Sequence, residues 1–180
     1  MASMLADMGR ELERSGDFIG SHEALAQSLS LFRECGDMIS ASKTNAIVVY
    51  LAVVHGHYAD ARPQLEEILH FYRQARLNYF MDIPLWLLGV IAAREGDYTQ
   101  AKEWYTECLL FDQQIGLPRQ LAECFIGFAG IASAEQDFER AAQLLSIGET
   151  NAAARANPLE SIDQIELKRL TTILLEELGD

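Results

Sequence analysis

The chain has 180 residues and carries 27 acidic against 14 basic side chains, so its formal charge is −13 at pH 7. This charge disfavours binding to nucleic acid or to an anionic membrane surface, because both require clustered Lys and Arg side chains. Hydrophobic residues make up 49% of the chain, which suits one domain of ordinary size and excludes a disordered or collagen-like protein.

Apolar runs, the first residues and the cysteines indicate where the protein resides. The longest apolar stretches, 46–54 and 83–93, are shorter than the roughly 18–20 residues that span a bilayer. The first residues lack the apolar centre of a secretory signal peptide. The three cysteines, an odd number, form no disulfide framework. We therefore expect a soluble cytoplasmic protein that does not bind membranes.

A three-residue pattern recurs along the chain at a constant interval of 40 residues. It consists of Gly or Gln, then Asp or His, then an aromatic residue, at 16–18, 56–58, 96–98 and 136–138. Three positions after each aromatic stands a small residue (Ser21, Ala61, Ala101, Ala141), and four further on a large one (Leu25, Leu65, Tyr105, Leu145). Equal intervals without an insertion indicate an internal repeat and predict a stacked architecture.

Each period predicts two helices that meet at this pattern. The first halves, for example 44–54 and 85–94, are apolar with small residues every three or four positions, whereas 98–114 has the 3.6-residue period of an amphipathic helix. Glycine ends the first helix with a positive φ, and aspartate caps the second helix. His57 replaces the capping aspartate at the second joint. Since no strand-like alternation competes, we predict an all-α protein.

Both ends of the stack have a predicted structure. After the fourth period, Asn157 and Pro158 form a helix-start pattern, and the apolar residues that follow predict a capping helix over 158–178. The first helix begins almost at Met1 and has no preceding cap, so we expect an open hydrophobic edge there. Such an edge would allow a homodimer to form.

The sequence Glu-Gly-Asp-Tyr-Thr-Gln-Ala-Lys-Glu-Trp-Tyr at 95–105 resembles the tetratricopeptide repeat. The resemblance covers about residues 3–156, with a period of 40 instead of the family's usual 34 or so. It implies an α-solenoid of four helix-turn-helix repeats, at about 1–37, 38–77, 78–117 and 118–157. Segments 30–37 and 122–132 are similar to the C-terminal repeat regions of bacterial LuxR-type regulators and signalling ATPases, although the chain contains no phosphate-binding Gly-Lys loop.

The resemblance also implies a binding surface, because in the family the first helix of each pair lines a concave groove. The ligand-facing positions correspond to Arg10, Lys43, Tyr50, Trp86, Val90, Arg94, Glu123 and Ile126. Tyr, Trp and Arg are the side chains that most often anchor a protein partner. Two alternatives stay open: the aromatics fill space between helix pairs, or the charged residues are solvated without a ligand.

We therefore expect a non-catalytic module that binds a protein or peptide, without a cofactor or a metal. The alternatives are the ligand-sensing portion of a bacterial regulator and a self-associating scaffold. His55 and His57 form only a weak metal pattern, since no cysteine lies nearby in the sequence. Cys108 and Cys124 have no neighbouring base in the sequence and are assigned to packing.

Overall fold

The computed structural model describes residues 1–154, 159 and 161–179. Within these ranges the chain forms nine α-helices, one short 3-10 helix (Asn78–Phe80) and no strand. The α-helices are α1 (Ala2–Arg14), α2 (Phe18–Glu34), α3 (Met38–Val54), α4 (Tyr58–Gln74), α5 (Asp82–Arg94), α6 (Tyr98–Ile115), α7 (Leu121–Ala134), α8 (Phe138–Ala153) and α9 (Ser161–Leu178). The all-α prediction is confirmed. In the described part of the chain, no helix combines the length and the apolar character needed to cross a bilayer.

The joints between helices follow the predicted chemistry and show a finer period. Left-handed residues end successive helices every 20 residues, at Gly16, Gly36, Gly56, Arg76, Gly96, Gly116 and Gln136. The carboxylate after several of these joints accepts a backbone N–H from the first turn of the next helix, at 3.0 Å for Asp17 and Asp97 and 3.2 Å for Asp137. Each 40-residue period therefore consists of two 20-residue halves that begin and end alike.

The chain, expected to be one domain, divides into two compact units, Met1–Phe71 and Tyr72–Asp180. In the first unit, α1 packs on α2 and α2 packs on α3. A Cβ added at Gly9 would lie 2.6 Å from Cγ of Leu25, so the glycine allows these two helices to approach closely. The repeat residues Leu25, Ala61 and Leu65 are fully buried. The predicted pairing of small and large positions is therefore confirmed in this unit.

In the second unit, α5, α6, α7 and α8 pack one on the next, and α9 packs on both α7 and α8. Gly89 and Gly127 lie on either side of the Tyr105 ring, where a Cβ at either glycine would collide with it. The core beneath α9 contains Ile126, Leu145 and Leu170. Helix α9 thus covers the last helix pair as predicted.

Two predicted helix starts differ from the observed ones. Pro118 was expected to begin a helix, but α7 begins three residues later, at Leu121. The Asp112 carboxylate accepts the backbone N–H of Gln120 at 2.8 Å, so the helix is capped from α6 rather than from its own flank. The predicted start of the capping helix, Asn157 and Pro158, lies outside the described residues.

Candidate functional site

The second unit contains an open cavity of about 290 Å³ between the first helices of its successive pairs. Helices α5, α7 and α9 form its walls, and two tyrosines of α6 contribute to its lining. Most of the interior is aliphatic, including Val90, Ile126, Ile131 and Ile162. Charged side chains lie on α5 and α9. A concave, largely apolar space with a few polar groups is the usual form of a binding site in a protein.

Tyr105 lies against the α7 wall of this cavity and is 2% exposed. Gly127 allows this position, because a Cβ there would lie 2.7 Å from the Tyr105 hydroxyl oxygen. The hydroxyl makes no hydrogen bond to another described residue. Burial raises the pKa of Tyr105 well above its ordinary value, so the hydroxyl keeps its proton and can both donate and accept a hydrogen bond.

Two arginines on different helices bind one carboxylate at the cavity. Arg169 donates to Glu166 through Nε at 3.0 Å and through Nη2 at 2.6 Å, and Arg94 donates to the same carboxylate at 3.0 Å. The Glu166 side chain is 14% exposed, against 36% for Arg94 and 45% for Arg169. Burial alone would raise the pKa of Glu166, but the hydrogen bonds and charges of the two arginines outweigh it and lower the pKa. This bridge links α5 to α9.

Gly130 lies directly beneath the bridge. A Cβ at this position would be 2.9 Å from Oε1 of Glu166, which is too close for the carboxylate to stay in place. The glycine on α7 is therefore what leaves room for a carboxylate between α5 and α9.

The structure brings only some of the predicted binding residues together. Val90, Arg94 and Ile126 line the cavity. Trp86 does not line it and is 1% exposed, so the structure places it in the packing role that was the alternative. A partner could not reach its ring without separating the helices.

Glu123 is 2% exposed and lies away from the cavity. Its charge acts on the buried Asp82 near the start of α5, because the N-terminal turn of α7 faces that end of the unit. Burial makes Glu123 a poor candidate for direct contact with a partner.

The remaining predicted residues belong to the first unit. Arg10 on α1 is exposed, Lys43 on α3 is half-buried, and Tyr50 is 8% exposed. The burial of Tyr50 again fits the packing alternative, whereas Arg10 is free of such a constraint.

Sequence reasoning missed the contribution of α9, which supplies Ile162, Asp163, Glu166 and Arg169 to the cavity. A signal was present in the repeat, because the 40-residue offset that relates Trp86 to Ile126 continues to Glu166. Helix α9 therefore occupies the position of a first helix in a fifth pair.

A separate cluster of buried acids lies where α5 begins, α6 ends and α7 begins. Asp82 is fully buried and pairs with Nε of Arg119 at 3.1 Å, while Asp112 is 2% exposed. The same arginine donates to the Tyr79 carbonyl at 3.1 Å and lies over the Tyr79 ring. Burial raises the pKa of Asp82, and it raises the pKa of Asp112 to about 6. This cluster has no connection to the cavity lining.

The histidines and cysteines form no site of their own. Among the described residues, no group of three His, Cys, Asp or Glu side chains could hold a metal ion. Cys108 and Cys124 are fully buried, and the Cys108 thiol donates to the Asp82 carbonyl at 3.4 Å. Burial raises the pKa of Cys124 well above its ordinary value, which keeps it a thiol and a weak nucleophile.

A scan against protein-family models and a search of curated proteins both give no match to this chain.

Proposed function

We propose that this chain is a non-catalytic interaction module, a tetratricopeptide-like α-solenoid that binds a protein or peptide partner along the first helices of its repeats. The observation that carries the proposal is the cavity of the second unit. It is built by α5, α7 and α9, which stand 40 residues apart in the repeat, and it includes the predicted Val90, Arg94 and Ile126.

The lining specifies what a partner segment should present. The aliphatic interior favours an apolar anchor side chain, and such anchors in pockets supply most of the affinity of protein interfaces. Arg94 is partly exposed and offers guanidinium N–H groups beside this interior. A segment with one apolar anchor and neighbouring polar groups would match both features.

The test begins with capture of partners from the source cells, followed by affinity measurement on purified proteins. We expect Arg94→Ala and Val90→Ala each to weaken partner binding at least tenfold, whereas Arg140→Ala on the exposed face of α8 should not change it. The melting temperature of each variant shows whether the fold is retained. If both cavity variants bind the captured partner as well as the wild type does, the partner binds elsewhere and the proposed surface is wrong.

Self-association is a second candidate, favoured by the exposed face of α1. Met4 is 75% exposed and Met8 47% exposed, and both lie on one side of the helix. Contiguous exposed apolar side chains commonly mark interaction surfaces. Light scattering after size exclusion should show a dimer that Met4→Lys converts to a monomer. A wild-type monomer at high protein concentration would refute this candidate.

A further inference from the structure

The cavity already shows which chemical group its charged rim binds. Two guanidinium groups, from α5 and α9, hold one carboxylate through three N–H···O contacts. Bidentate binding of this kind is the strongest and most specific way in which proteins recognise a carboxylate. Here the carboxylate belongs to Glu166, a side chain on the surface of α9 with rotatable bonds to solvent.

Behind this rim, the cavity has apolar walls and one polar group that lacks a partner. Val90, Ile126 and Ile162 supply aliphatic surface, and the Tyr105 hydroxyl faces the space without a hydrogen bond to another described residue. A ligand that enters would exchange water for apolar contact and could also satisfy this hydroxyl.

We propose that the cavity binds a small apolar carboxylic acid, whose carboxylate takes the place of Glu166 on Arg94 and Arg169 while its apolar part extends toward Tyr105. The exchange keeps the charge of the rim unchanged, because one carboxylate replaces another and Glu166 turns into solvent. The buried Asp163 keeps its place on α9 throughout. This site goes beyond partner binding and does not depend on it.

The volume of the cavity limits the size of the ligand. A cavity of roughly 150 Å³ in another protein holds benzene, so 290 Å³ has room for an aromatic ring with a short chain. 4-Phenylbutyrate has this size and carries one carboxylate. Its alcohol, 4-phenylbutan-1-ol, has the same apolar part and no charge, so the pair separates the two contributions to binding.

Isothermal titration calorimetry of the full chain tests the proposal with these two probes. The wild type should bind the acid about tenfold more tightly than the alcohol. Glu166→Gln removes the internal competitor and should strengthen acid binding about tenfold, with no change for the alcohol. Arg169→Gln should weaken acid binding by a similar factor, and Arg140→Gln, on the exposed face of α8, should have no effect.

Equal affinity for the acid and the alcohol in both the wild type and Glu166→Gln would overturn the proposal, as would no binding of the acid to either protein. Far-UV circular dichroism and a melting curve verify that each variant folds. If Glu166→Gln does not fold, Arg94→Gln decides, since acid binding equal to that of the wild type would exclude the arginine pair. Loss of partner binding with retained acid binding would refute only the proposed interaction surface.

Discussion

Replacing Asp112 with Asn should make the protein more stable at neutral pH. The Asp112 carboxylate is buried, and only one of its oxygens accepts a hydrogen bond, from the Gln120 backbone at 2.8 Å. The nearby Asp82 adds a repulsive charge, which Arg119 offsets only in part. Asparagine has nearly the same shape and can still accept the Gln120 N–H, but it carries no charge to desolvate.

The expected magnitude follows from the pKa. In the folded state the pKa of Asp112 is about 6, compared with its ordinary value of 3.8. Because the folded protein holds this proton more tightly than the unfolded chain does, Asp112 contributes stability below pH 3.8 and loses it as the pH rises through 6. The difference corresponds to about 3 kcal/mol at 1.4 kcal/mol per pH unit. We expect Asp112→Asn to recover about 2 kcal/mol at pH 8, since asparagine has one acceptor oxygen instead of two.

Urea unfolding at pH 8 and pH 4.5, followed by circular dichroism, measures this effect. The gain in unfolding free energy should be present at pH 8 and nearly absent at pH 4.5, where the wild-type carboxyl is largely protonated. Asp7→Asn on the exposed side of α1 is the control and should change stability little at either pH. A variant that is equally destabilised at both pH values would refute the reasoning, because the loss would then come from the hydrogen bond and not from the charge.

Three further predictions concern the glycines, the joints and the bridge. Gly127→Ala should cost roughly 1–3 kcal/mol of unfolding free energy, because its Cβ would overlap Tyr105, and an unchanged urea midpoint would contradict this packing. Gln136→Gly should raise stability by about 0.5–1 kcal/mol, since Gln136 has a φ of 63° at the position where Gly96 serves the preceding pair; a lower melting temperature would argue against strain there. The stability that Glu166 provides should be complete above its ordinary pKa of 4.5 and be lost as the pH falls through its lower folded-state pKa, so Glu166→Gln should flatten the acid limb of the pH–stability curve.

The sequence predicted the joints well because the physics at a joint is local. A glycine with positive φ and an aspartate that caps the next helix act within four residues, so Gly96 and Asp97 could be assigned from their neighbours alone. The buried acid cluster had no such signal. Asp82, Asp112 and Glu123 are separated by 30 and 11 positions and meet only because three helix ends converge. Sequence reasoning therefore placed Glu123 on a binding surface from which the fold removes it.

The candidate site arises where the repeat departs from its own pattern. Most of the repeated positions hold buried packing residues, and their chemistry follows from the offset of 40. At the cavity the offset changes chemistry: Ile126 becomes Glu166, and Leu87 becomes Gly127. The large position that is leucine in the other repeats becomes Tyr105, whose ring fits only beside that glycine. Substitutions of this kind remove apolar contact and add polar groups, so they lower stability unless a ligand or a partner uses them.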